Sequence, residues 1–136
     1  MGLDNCLSIY RKRVELNNDI IEKLKHKNIF LRGYDYSGSS FRGKAYNMII
    51  DTICNETLYS IIHPVFLGEM SVKINEFLKL VATLDVTDEI DVRDYIKDYT
   101  DSHDDHLYKI TKKELISLKD LFQFCKENDV YLHPNF

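Results

Sequence analysis

Residues 111–132 read TKKELISLKDLFQFCKENDVYL, and this stretch decides the fold. Thr111 and Glu114 stand at capping-box spacing, where a threonine hydroxyl and a glutamate carboxylate satisfy amides that a first helical turn leaves without partners. Leu115, Leu118, Leu121, Phe122 and Cys125 then recur as a wide apolar face of helical period. The pattern stops at END, and VYLHPNF continues as a short extended tail. A long amphipathic helix running into an extended segment predicts a core of helices with a little sheet.

Working back toward the N-terminus, TDE at residues 87–89 supplies a cap and two acids to the positive end of a further helix, with Val92, Tyr95, Ile96 and Tyr99 as its stripe. Ser71 can cap a helix whose face is Ile74, Phe77, Leu78 and Val81. Pro64 interrupts YSIIHPVF, which reads as a connector. From Ala45 onward Tyr46, Ile49, Ile50 and Ile53 mark another helix, ending near Asn55. NIFLRGY, residues 28–34, is short and apolar with Gly33 as a stop, and predicts a strand. Leu16, Ile20 and Leu24 lie four apart on one more helical stripe. Residues 3–11 alternate loosely as an opening strand that Asp4 and Asn5 weaken. About five helices with two or three short strands make a helix-dominated α+β fold, and residues 1–136 form a single globular domain.

Composition sets the class. With 136 residues and 44% apolar content the chain can close one core. No apolar run approaches the roughly 18 residues of a membrane span. The charges of MGLDNCLSIYRKR follow its apolar stretch, the reverse of a secretory signal, so a cytoplasmic protein is expected. Cys6, Cys54 and Cys125 are odd in number and far apart, which argues against a disulfide framework or a metal knuckle.

Charge is uneven. Residues 1–50 hold nine Lys/Arg against five Asp/Glu, whereas residues 51–136 hold nine against seventeen. Residues 85–105, DVTDEIDVRDYIKDYTDSHDD, carry nine acids against Arg93 and Lys97 alone. Such a surface repels phosphate backbones and attracts a basic partner, which argues against nucleic acid as a ligand there. Asp88, Asp91, Asp94, Asp98, Asp101, Asp104 and Asp105, with Tyr95 and Tyr99 as aromatic anchors, are the candidate partner-binding residues. On a helix, Asp91, Asp94 and Asp98 would crowd together and be relieved by an incoming cation.

A second candidate is SGSSFRGKAY, residues 37–46. Glycines allow close backbone approach, and Ser39, Ser40, Arg42 and Lys44 are the residue types that hold a small anion or nucleotide. The spacing from Gly38 to Lys44 is that of a phosphate loop, but Ala45 stands where the magnesium-binding hydroxyl belongs. The plainer alternative is a serine cap on the helix that follows.

MGLD at the start, FRGKAY before a helix, NETLY at residues 55–59 and LKDLFQFCKENDVYL near the end are similar, in order, to a small family of bacterial and phage proteins. The tail HPNF departs from that family's Gly-Trp-rich ending. The resemblance implies a single domain in a mobile-element or defence setting and no catalytic role, with Phe41, Arg42, Gly43 and Tyr46 as the shared positions.

Two weaker constellations complete the reading. In DSHDDH, His103 and His106 are candidate metal ligands, although neighbouring residues on a loop rarely converge on one ion. No nucleophile signature of the GxSxG kind occurs, and no cofactor motif is present. The expectation is a non-enzymatic module that binds a basic protein, most concretely an immunity protein neutralising a nuclease-type toxin. A small-anion or nucleotide module using the residue 39–44 turn, with or without catalysis, is the alternative.

Overall fold

The computed structural model describes residues 3–12, 14–35, 39–96 and 104–135. The chain order is β1 (Asp4–Ser8), α1 (Asn18–Lys25), β2 (Ser40–Phe41), α2 (Asn47–Cys54), α3 (Pro64–Leu80), β3 (Glu89–Asp91), β4 (Lys109–Thr111), α4 (Lys112–Glu127) and β5 (Tyr131–Asn135), with 3-10 turns at Gly43–Ala45, Val92–Tyr95 and Asp105–Tyr108. The architecture is α+β. Among the described residues there are four α-helices, where the sequence predicts about five, and five short strands, where it predicts two or three.

The capping box of α4 forms as its residues dictate. Thr111 Oγ1 accepts the Glu114 amide at 3.2 Å, and Glu114 Oε1 accepts the Thr111 amide at 3.2 Å. Leu115, Leu118, Leu121, Phe122 and Cys125 are all fully buried. Much of what they cover is α3, which packs along α4 in the opposite direction. Gly68 lies against Lys126 near one end, and Lys112 Nζ donates to the Ala82 and Leu84 carbonyls at the other. At α1, Asn17 accepts the Ile20 amide at 2.9 Å, and Leu24 is the residue of that helix that is buried.

The three-stranded sheet has the order β2-β1-β5, antiparallel throughout, so the chain's first strand is its centre and pairs with its last. Ile62 bridges to Leu132, exchanging both backbone bonds, and so covers part of the outer edge of β5. Alternation then turns the nitrogen of Pro134 outward, where no ladder donor is required. The smaller sheet pairs β3 with β4.

Four local expectations are corrected. NIFLRGY is not a strand: the Phe30 amide donates to Ser117 Oγ at 2.9 Å and the Arg32 amide to the Tyr46 hydroxyl at 2.8 Å, so side chains take the place of a ladder. Helix α3 starts seven residues before Ser71, because Pro64 is already its first residue and His63 its cap, accepting the Val65 amide on Nδ1. Ser71 is instead buried mid-helix and donates to the Lys119 carbonyl at 2.9 Å. The helix expected after TDE is replaced by β3 and a 3-10 turn, because Ile90 is buried opposite Ile110 in a strand pair.

Candidate functional site

The acidic region is built on the β3–β4 ribbon. Ile90 and Ile110 face the core, and Glu89 and Lys109 remain exposed. Asp91 closes β3 and accepts the Arg93 amide at 3.0 Å, which starts the 3-10 turn. Its carboxylate also takes Arg93 Nε at 3.0 Å and Nη2 at 2.7 Å, and the same Nη2 reaches Asp105 at 2.8 Å. The guanidinium lies 4.3 Å from the ring centre of Tyr108, which is fully buried. Hydrogen bonding to Arg93 holds the Asp91 carboxyl below its ordinary value, and Asp91 with Asp105 raises the guanidinium in turn.

Two of the candidate acids, Asp91 and Asp105, therefore share a single guanidinium, which offsets one of their two charges. A third, Asp88, is turned back onto the Asp85 amide at 2.9 Å. The crowded helical face of Asp91, Asp94 and Asp98 does not form, since Asp91 lies in a strand, Asp94 in a 3-10 turn, and Asp98 outside the described residues. Tyr99, Asp101 and His103 also lie outside them. Among the described residues, Asp85, Glu89, Asp94 and Asp104 are exposed acids without a cation partner. Tyr95, next to Asp94 in the chain, is 40% exposed and meets Phe77 edge-on at 5.6 Å. Val86 and Leu80 are exposed apolar residues, in the loop before the ribbon and at the end of α3.

At the second candidate, the amides are committed within the chain. Ser40, Arg42, Lys44, Ala45 and Tyr46 all donate to backbone carbonyls, those of Asp35, Arg32, Leu3, Arg42 and Gly43. Arg42 faces Asp4 at 3.5 Å. Neither serine caps α2, which starts without a side-chain cap; Ser39 has a left-handed backbone, φ 55°, and turns the chain into β2. Gly43 is there for contact with Asn5, whose side chain occupies the space a Cβ would need.

His106 is exposed in the last 3-10 turn, and no group of three or more His, Cys, Asp or Glu among the described residues is placed to hold a metal ion. No helix among the described residues is long and apolar enough to cross a membrane.

Two arrangements escaped the sequence reading. Tyr46 donates to Glu114 Oε2 in a buried bond, and Arg32 Nε stands 3.5 Å from the same oxygen. Burial first, and the bond to Glu114 second, drive the Tyr46 hydroxyl well above its ordinary pKa. This network ties the connector before β2 to α2 and α4. The other is a groove beside His63, assembled from three distant parts of the chain. Tyr46 and Glu114 carried a signal, an apolar stripe and a capping box, but nothing in either pattern says that the two meet. The chain matches no family model, no curated protein and no solved structure.

Proposed function

We propose that this chain is a protein-binding module whose β3–β4 face docks a basic protein. The observation that carries the reading is the set of exposed, cation-free carboxylates of Asp85, Glu89, Asp94 and Asp104 on and around the β3–β4 segment, with the half-exposed ring of Tyr95 next to Asp94 in the chain. Carboxylates left without counter-charges favour a cationic partner, and an aromatic residue among them offers a desolvated anchor. Arg93 ties the end of β3 to Asp105 and lies over the Tyr108 ring, which fixes this part of the acidic segment before it meets anything. The most concrete version is an immunity protein that fills a phosphate-binding cleft of a nuclease-type toxin with carboxylates.

The test uses the native chain beside a Glu89→Gln, Asp94→Asn, Asp104→Asn variant, each immobilised and exposed to lysate from the source. A basic protein retained by the native chain and lost by the variant is expected. Its association rate should then fall steeply between about 50 mM and about 500 mM salt, because screening shortens the reach of the field to a few ångströms. Equal retention by both chains, or a rate that salt leaves flat, would sink the reading.

A further inference from the structure

At the opposite end of α3 from the acidic ribbon, a groove of about 270 Å³ is lined by Arg11, Ile61, His63, Phe66 and Tyr131. With 17 residues, α3 separates the two regions by about 25 Å at 1.5 Å per residue. Three of the five lining residues are rings. His63 meets Tyr131 edge to face at 5.0 Å and Phe66 at 6.4 Å. Phe66 is 52% exposed and Ile61 47%, so these are apolar surfaces open to solvent. Because His63 Nδ1 accepts the Val65 amide at 3.0 Å, its ring proton sits on Nε2, and that edge is a hydrogen-bond donor.

Among the described residues, Arg11 is the only charge on the lining, no carboxylate lines the groove, and the Arg11 guanidinium has no ion-pair partner. In a chain whose net charge is −4, this is a local reversal of sign.

The loop that presents Arg11 is fixed from the inside. Ser8, fully buried, places Oγ 3.0 Å from the Tyr10 carbonyl and 2.9 Å from that of Lys12, and accepts the Val14 amide at 2.8 Å. His133, 5% exposed, donates Nε2–H to the Tyr10 carbonyl at 3.0 Å. Two buried polar side chains thus hold the backbone on both sides of an exposed arginine. These bonds satisfy the two buried polar groups and fix the loop's backbone, so the root of the Arg11 side chain has a set position at the rim of the groove.

Ring walls select a flat apolar body, by stacking and edge contacts, and an unpaired guanidinium beside an N–H donor selects an anion. We propose that this groove binds a planar aromatic anion, a ring that carries a phosphate or a carboxylate. The ring lies against Phe66 and Tyr131, and Arg11 and His63 Nε2–H take the charged group. This site is independent of the acidic face, and it moves anion recognition away from the turn of residues 39–44, where the Ser40, Arg42 and Lys44 amides are bonded within the chain.

The experiment is a titration of the full ¹⁵N-labelled chain, followed by amide shifts, with adenosine monophosphate, benzoate, inorganic phosphate and adenosine as separate probes. Adenosine monophosphate or benzoate should move the amides of Arg11, Val65, Phe66 and Tyr131 with Kd of about 1 mM or tighter. Arg11→Ala and Phe66→Ala should each weaken that binding by about tenfold or more, and Asp94→Asn should leave it unchanged. Both altered groove residues are exposed, so the variants keep the fold, and the remaining amide positions verify it. Preference for adenosine monophosphate assigns the charged group as phosphate, and preference for benzoate as carboxylate. Four results overturn the proposal: no shift with either ring-bearing anion, inorganic phosphate binding as tightly as adenosine monophosphate, adenosine doing so, or Arg11→Ala binding like the native chain.

Discussion

Gly43 has an ordinary backbone conformation, so its value is one of space alone. A Cβ there would fall 1.6 Å from Asn5 Oδ1 and 2.8 Å from Asn5 Cγ. Asn5 has little freedom to retreat, being fully buried with Nδ2 donating to the Leu58 carbonyl at 2.9 Å. Gly43→Ala is expected to cost about 2–3 kcal/mol, seen as a lower urea midpoint at unchanged slope. Adding Asn5→Ala should make the pair cost less than the sum of the two single changes, because one collision is removed. The hydroxyls of Tyr34 and Tyr46 are both buried but differ in their partners. The Tyr34 hydroxyl is buried with no partner among the described residues, and burial, aided by Asp35, pushes its ionisation up to about 12. Tyr34→Phe should therefore be neutral or stabilising by up to about 1 kcal/mol, since it removes only an unsatisfied group. Tyr46→Phe takes away the donor to Glu114 and the acceptor of the Arg32 amide, and should cost about 2–3 kcal/mol. Thermal unfolding of both variants decides it: a Tyr34→Phe loss as large as that of Tyr46→Phe would mean the Tyr34 hydroxyl has a partner after all.

At the level of elements, what could be read in advance was whatever is specified within a few neighbouring residues. Helix α4 carries its own cap, period and stop, and Thr111→Ala should cost about 1 kcal/mol of stability while Thr111→Ser keeps most of it. The stripe of α2 likewise reads correctly, with Ile49 and Ile50 fully buried. The stretch from Glu89 to Tyr95 misled because Val92 and Tyr95, three apart, suit a 3-10 turn as well as an α-helix. What decides between them is Ile110, Asp105 and Tyr108, all ten or more residues away. The groove was invisible for the same reason, since its residues come from the loop after β1, the entry to α3 and β5. Of the acidic candidates, their sign and exposure were legible but not that Arg93 would take Asp91 and Asp105 out of play. In Arg93→Ala the Asp91 carboxyl should titrate nearer its ordinary value, followed by carboxyl-carbon shifts against pH. Because the Asp91 pKa is depressed in the fold, its contribution is present above the ordinary carboxylate range and is lost as pH falls through it. The acid limb of the stability curve should be shallower in that variant.

The molecule as a whole has its most pronounced pH response on the alkaline side. Burial raises Cys54 to about 12 and lifts Cys125 as well, and Tyr34 and Tyr46 are raised too. In the unfolded chain these groups titrate near 9.0 and 10.0. The folded chain holds its protons to higher pH, so their contribution is complete below those values and drains away as pH rises through them. Urea midpoints should stay level up to about pH 9 and then fall, less steeply in Tyr46→Phe than in the native chain. A final consequence follows from the strand pairing, which sets Asp4 opposite Asn135. As the chain is synthesised, β1 emerges before its partner β5 and must wait while more than a hundred further residues appear, with the two described residues of β2 to pair with on its other side. An unpaired strand of this kind is a template for its neighbours. Interrupted translation products that stop short of Val130 should therefore clump rather than fold, and a chaperone that shields nascent strands should raise the yield of the complete chain.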